Sequence, residues 1–282
     1  MGTASGDRTF TPGLLSEVPA FPAVAIKAMQ FLSKDRGQLN ELGELVASDP
    51  AIASGILRMA NSALFGLRTE VRSVLQAIHL LGLERVKAVV VTVAMISYLD
   101  GSLAVPALRA CWRHSLGCAL LCEELARASL LDPGIAYTAG LMHDVGRMAL
   151  VAGYPEEYRE FLTHTESEPC DILQGERDLF GIDHCQAGLL LVTRWQLPRI
   201  FREVAALHHN VPAPGETAVL TTVRHACTMA DALGFSAAHA LEMPTYDEIL
   251  ASLPERERNS LPKDPEEIMR VIAHKINSIE CS

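Results

Sequence analysis

Apolar side chains recur every three to four residues along almost the whole chain, and no convincing stretch alternates apolar with polar residues over a strand's length. The first spacing is that of a buried helix face, the second that of a half-buried strand. A chain with only the first is confined to packing helix on helix, so the expected fold class is all-α. Val24, Ala28, Phe31 and Leu32 mark a first helix. Leu39, Leu42, Leu45 and Val46 mark a second, closed by Ser48-Asp49-Pro50. There Asp49 suits an N-cap and Pro50 the first helical position. A helix over 51–61 follows, and Gly82 splits a pair at 74–81 and 83–98. Val89-Val90-Val91 would suit a strand but stands inside the longer helical pattern. Further helices are expected over 105–128, through Leu141-Met142-His143-Asp144, and over 154–165. The series continues with 184–195 capped by Asp183, then 200–209, 218–233 and 265–279. Pro254-Glu255-Arg256-Glu257-Arg258 reads as a charged loop or exposed turn.

The loop Asp100-Gly101-Ser102 divides the chain. The expected organisation is a flexible N-terminus over 1–13, a helical subdomain over 14–102, a second over 103–240, and a helical extension over 241–282. Charge argues against one broad class of partner. Lys and Arg number 24 against 34 Asp and Glu, a net −10, and there is no Lys/Arg-rich run. Binding to a phosphate backbone needs a strong positive field, so nucleic acid is not the expected partner. The longest apolar run, Ala88 to Leu99, falls short of the roughly 20 residues of a spanning helix. The first residues lack a charged n-region followed by an apolar h-region, so no signal peptide is expected. Seven cysteines form no C-x-x-C pair, and five of them (Cys111, Cys118, Cys122, Cys185 and Cys227) sit in apolar helical patterns as small hydrophobes. The expected location is the cytoplasm.

Ten histidines are present, and five of them fall in a suggestive order. His114 comes first, then His143 followed directly by Asp144, then His184 and the pair His208-His209, with Asp231 last. Imidazole and carboxylate suit iron, manganese or zinc, and a helical bundle can aim them from several helices at one interior point. A lone histidine on an apolar helix is ordinarily a satisfied core or surface residue. That is the reading for His79, His164, His225, His239 and His274.

The order H…HD…D resembles the HD superfamily of metal-dependent phosphohydrolases. Longer stretches narrow the resemblance: Trp112-Arg113-His114-Ser115, Gly140-Leu141-Met142-His143-Asp144-Val145-Gly146-Arg147, and Phe180-Gly181-Ile182-Asp183-His184 running on to Trp195-Gln196-Leu197-Pro198. With Val18-Pro19-Ala20-Phe21-Pro22 and Ser48-Asp49-Pro50 at the front, the chain resembles the HDOD family, output domains of bacterial signalling proteins, over roughly residues 14–235. The resemblance implies an HD-like helical bundle over 103–240 with an additional helical N-terminal subdomain. It implies that His114, His143, Asp144 and Asp231 are the four-ligand metal set. His184, His208 and His209 match the extra histidines of binuclear relatives, in which Asp144 would bridge. The implied cofactor is one or two divalent transition-metal ions, iron or manganese, with no organic cofactor. Two departures bear on catalysis. HD hydrolases often read HDxGK, where this chain has Arg147, and no GYP follows His208-His209, which disfavours hydrolysis of cyclic-di-GMP.

Two functions remain open at this point. One is a bacterial signalling protein acting mainly through contacts with protein partners, or as a homodimer, with the metal site kept as a structural tie. The alternative is a metal-dependent phosphohydrolase acting on a nucleotide, cyclic nucleotide or phosphomonoester. In that case Asp144 and Arg147 are the catalytic residues, and a phosphate-containing small molecule is the ligand.

Overall fold

The computed structural model describes residues 21–32, 39–62, 64–99, 103–168, 170–238 and 243–281. The segment 1–13, Val18-Pro19-Ala20, the loop 100–102 and His239 lie outside the described residues. Among the described residues the fold is all-α, with no β-strand and no helix long and apolar enough to cross a membrane.

The front of the chain forms α1 (Ala23–Leu32), α2 (Leu39–Ala47), α3 (Pro50–Ala60), α4 (Val74–Leu81) and α5 (Leu83–Leu99). Asp49 caps α3 by accepting from the backbone N–H groups of Ala51 and Ile52, both at 3.1 Å, with Pro50 in the first turn. The valine run lies in α5, which is buried continuously from Val86 to Met95. A helix that is apolar all round belongs in the middle of a core, and α5 packs against α1, α3, α4 and α7 (Pro133–Met142).

The second part is built on α6 (Pro106–Ala128), which lies against α7. Then come α8 (Val145–Gly153), α9 (Pro155–Ser167), α10 (Ile172–Phe180), α11 (His184–Arg194), α12 (Arg199–Leu207) and α13 (Ala218–Ala230). The close fit of α6 on α7 depends on Gly140, where a Cβ would stand 2.9 Å from the Cα of Ala119. Two parts of the core meet at an aromatic cluster. Phe21 stacks on Trp195 with centroids 4.8 Å apart, and Tyr98 meets both rings edge-on at 5.6 and 5.7 Å. The chain closes with α14 (Tyr246–Ser252), α15 (Glu255–Ser260) and α16 (Pro265–Glu280). Helix α16 buries Ile268, Ile272, Ile276 and Ile279 and pairs Lys275 with Glu124 of α6 at 3.0 Å.

Four local expectations change. The charged stretch after Pro254 is not a loop but the short helix α15, whose N-terminal Glu255 and Glu257 suit the positive end of a helix. Helices α10 and α14 were not marked by spacing alone. The helix expected through residues 141–144 breaks between His143 and Asp144, where Asp144 has φ −99° and ψ 19°. The helix expected to reach Leu233 instead changes at Asp231 into a π-turn over Asp231–Phe235, with Gly234 left-handed at φ 83°.

Candidate metal centre

Helix ends, rather than helix faces, assemble the centre. Only His114 stands in mid-helix, on the buried side of α6. His143 is the C-cap of α7 and Asp144 the residue before α8. His184 opens α11 behind a capping box made by Asp183 and Gln186, and His208 is the C-cap of α12. Last-turn carbonyls lack a full set of helical partners, and two of them hold imidazoles here. His143 Nδ1 donates to the Gly140 carbonyl at 2.6 Å and His208 Nδ1 to that of Val204 at 3.0 Å. His114 Nδ1 lies 3.2 Å from the Phe235 carbonyl in the π-turn, and His184 Nδ1 donates to Glu176 Oε2 at 2.6 Å.

Every one of these Nδ1 atoms faces an oxygen acceptor, so it carries a proton and the Nε2 edge is turned elsewhere. All four Nε2 atoms turn toward Asp144. Its Oδ1 lies 3.3 Å from His208 and 3.4 Å from His184, and its Oδ2 lies 3.7 Å from His143 and 3.9 Å from His114. Asp144 is 1% exposed, yet neither carboxylate oxygen has a hydrogen-bond partner, and neither has His208 Nε2. Arg147 Nε approaches Oδ2 at 3.0 Å as an ion pair, but the angle does not make it a hydrogen bond. Buried oxygens without donors are uncommon in folded proteins. Ringed by imidazole nitrogens, they form a donor set that fits a divalent transition-metal ion.

The candidate ligand atoms fall into two groups, each with its members within 4.8 Å of one another. One is Asp144, His184, His208 and His209; the other is His114, His143 and Cys227. His209 sits at the exposed rim, its ring centroid 4.4 Å from that of His208 and 4.9 Å from that of His184. Asp231 lies outside both groups. Its Oδ1 is 3.2 Å from His114 Nδ1, the ring edge that faces away from Asp144. Arg147 is 5% exposed and points inward, with Nη2 3.3 Å from His184 Nε2.

Charges within the centre are strongly coupled. Burial alone would raise the Asp144 pKa, but the Arg147 guanidinium and the neighbouring imidazoles hold it well below the usual carboxylate range. Burial opposes a charge on His114, yet the Asp231 carboxylate and the Cys227 thiol raise its pKa to about 10. Burial pushes the Cys227 thiol itself up to about 12.

Sequence reasoning missed Glu176 and Tyr158. Glu176 is fully buried in α10 and accepts from both the Nδ1 and the backbone N–H of His184, and from the Tyr158 hydroxyl. A carboxylate behind a ligating histidine fixes its tautomer and raises its basicity. Burial would raise the Glu176 pKa, but His184, Arg147 and Tyr158 lower it. Cys227, read from sequence as a core hydrophobe, is indeed buried, but its Sγ lies 3.5 Å from His114 Nε2. Of the remaining histidines, His79 bonds the Leu75 carbonyl at 2.7 Å and His164 approaches Glu168 at 4.0 Å, both away from the centre.

Comparison with known proteins fits this architecture. An HDOD domain protein of unknown function from Geobacter sulfurreducens superposes with a TM-score of 0.74 at 23% identity, covering 95% of each chain. A candidate metal-dependent phosphohydrolase from Shewanella amazonensis SB2B superposes with a TM-score of 0.62 at 20% identity, over 95% of this chain and 96% of that one. A candidate signal transduction protein from Marinobacter aquaeolei VT8 gives 0.65 at 21% identity, over 94% of this chain and 59% of that one. At these identities the likeness is one of fold. An uncharacterised protein of Treponema pallidum (strain Nichols) is 25% identical over 208 residues, which is 72% of this chain. The chain spans only 40% of that protein's length. The profile of the HDOD domain matches residues 18–211, more than half of the sequence. The chain belongs to the HDOD domain family.

Proposed function

We propose that the chain is a cytoplasmic signalling module that acts through protein contacts, with its histidine–aspartate centre serving as an internal tie. The closure of that centre carries the reading. His143 and His184 are 0% exposed, and Arg147 folds inward onto Asp144 and His184. A phosphoryl group could reach Asp144 only if these side chains moved aside. His114, His143, Asp144, His184 and His208 would hold the metal, which when bound supplies a tie between helices whose binding free energy adds to folding. The N-terminal subdomain, taken as residues 14–102, would offer the contact surface, and on α4 Leu75 and Leu80 are nearly half exposed.

A second reading, a metal-dependent phosphohydrolase, is favoured by the convergence of four imidazoles on one carboxylate. Under it Arg147 turns outward to orient phosphate, and His209 at the rim carries a proton. Phosphate or nitrophenol release separates the two readings. The assay takes p-nitrophenyl phosphate, bis-p-nitrophenyl phosphate and cyclic nucleotides with manganese, ferrous iron or zinc. The signalling reading predicts the same background from wild type and from Asp144→Ala. Turnover by wild type that Asp144→Ala abolishes would overturn it.

A further inference from the structure

Three donor atoms, from His114, His143 and Cys227, meet beside the Oδ2 of Asp144. His114 Nε2 and His143 Nε2 are 3.3 Å apart, and Cys227 Sγ is 3.5 Å from His114 Nε2. Asp144 Oδ2 completes the set at 3.7 and 3.9 Å from the two nitrogens. All four side chains are buried, the most exposed being Cys227 at 8%.

These separations have a chemical meaning. A tetrahedral zinc-like ion with metal–nitrogen bonds of about 2.0–2.1 Å and a metal–sulfur bond of about 2.3 Å holds two nitrogens roughly 3.3–3.4 Å apart, and a nitrogen and a sulfur roughly 3.6 Å apart. The observed nitrogen–nitrogen and nitrogen–sulfur spacings match these, and the carboxylate stands a few tenths of an ångström further out. We propose that Cys227 is a thiolate ligand, completing with His114, His143 and Asp144 a site for a thiophilic divalent ion of the zinc and ferrous class. This rests on the metal-centre reading above, narrows its ligands to His114, His143 and Asp144, and adds a soft donor, leaving His184 and His208 at the other carboxylate oxygen, Oδ1. Ligation releases the Cys227 proton to solvent and forms a metal–sulfur bond.

Asp231, which the family resemblance suggests as the fourth ligand, is placed for a different task. Its carboxylate lies against His114 Nδ1 and so orients the ring from behind, leaving Nε2 to the ion. On the other side of Asp144, His184 Nε2 already faces the Arg147 Nη2 at 3.3 Å. Arg147 reaches the cysteine side as well, its Nε 3.0 Å from Asp144 Oδ2, so the ion and the guanidinium share that oxygen while His114, His143 and Cys227 face the ion. A thiolate there also biases selection away from magnesium and manganese, which prefer oxygen ligands.

Cobalt(II) is the direct probe, because thiolate ligation gives a near-ultraviolet charge-transfer band that imidazole and carboxylate do not. The full-length chain, stripped with chelator, is titrated with cobalt alone. Wild type and Cys118→Ser, which alters the other buried thiol beside His143, are expected to show the band. Cys227→Ser is expected to lose it, to keep visible ligand-field absorption, and to bind cobalt at least about tenfold more weakly. A band retained in Cys227→Ser, or lost in Cys118→Ser instead, overturns the thiolate assignment. If Cys227→Ser does not fold, Cys227→Ala replaces it, and the wild-type spectrum still decides: ligand-field absorption without charge transfer excludes any thiolate while leaving the metal reading intact. No cobalt uptake by wild type overturns both.

Discussion

Asp144→Ala is expected to lower the unfolding free energy by about 3–5 kcal/mol, the range for removing one partner of a buried ion pair. Asp144 and Arg147 are 1% and 5% exposed, and the Arg147 Nε to Asp144 Oδ2 separation is 3.0 Å. Without the carboxylate the guanidinium stays in the interior beside imidazoles that the lost charge had balanced. The loss comes from stranding that cation, so removing the cation as well should return part of the stability. Arg147→Met in the Asp144→Ala background is expected to be less damaging than the two single effects added together. Urea unfolding of the wild type, both single variants and the double variant measures this. A loss below about 1 kcal/mol in Asp144→Ala would place the pair at the surface scale of ion pairs and contradict the buried centre.

Gly146→Ala should be more damaging still, although the change is one methyl group. A Cβ at Gly146 would stand 2.0 Å from the carbonyl oxygen of His184 and 2.3 Å from the backbone nitrogen of Gly188. Both are backbone atoms of α11 and cannot rotate away, so α8 and α11 must part. Overpacking a core ordinarily costs about 1–3 kcal/mol, and a clash with backbone belongs in the exceptional range above roughly 4 kcal/mol. The displaced residue is His184 itself, so the variant should also weaken metal binding. Gly188→Ala is the matched control. Its Cβ would meet Ala205 at 3.4 Å, ordinary van der Waals contact, and helix propensity favours alanine there by up to about 1 kcal/mol. Thermal unfolding should therefore separate the two variants widely. Similar midpoints would mean that α8 and α11 do not approach this closely.

The glycine after His143-Asp144 thus has a packing reason that the sequence motif alone did not disclose. The same holds for Glu176. Along α10 the buried residues are Ile172, Glu176 and Phe180, a helical stripe with a carboxylate where an apolar residue would be expected. That substitution hid the helix from a search for apolar periodicity. The available signals were at its ends: Asp171 accepts from the Gln174 N–H, and Gly181 is left-handed at φ 73°. The all-helical class was legible because long helices such as α5 and α6 repeat their pattern over many turns. The break between His143 and Asp144 and the π-turn at Asp231 were not, because each is a change of backbone path within an unbroken apolar rhythm. His114, His143, Asp144, His184 and His208 were chosen by order and family resemblance, and the structure gathers them around one carboxylate. Which edge of each ring faces that carboxylate depends on the carbonyls and carboxylates behind it, and these come from distant positions such as Glu176 and Phe235.

Elemental analysis of the chain, purified without added metal or a metal-affinity column, tests the central claim most directly. The account predicts about one transition-metal ion per chain, with a melting temperature that falls when a chelator removes it, because metal binding energy is part of the folding energy. A chain that carries no metal, takes none up, and melts at the same temperature with or without added zinc, iron or manganese would contradict it.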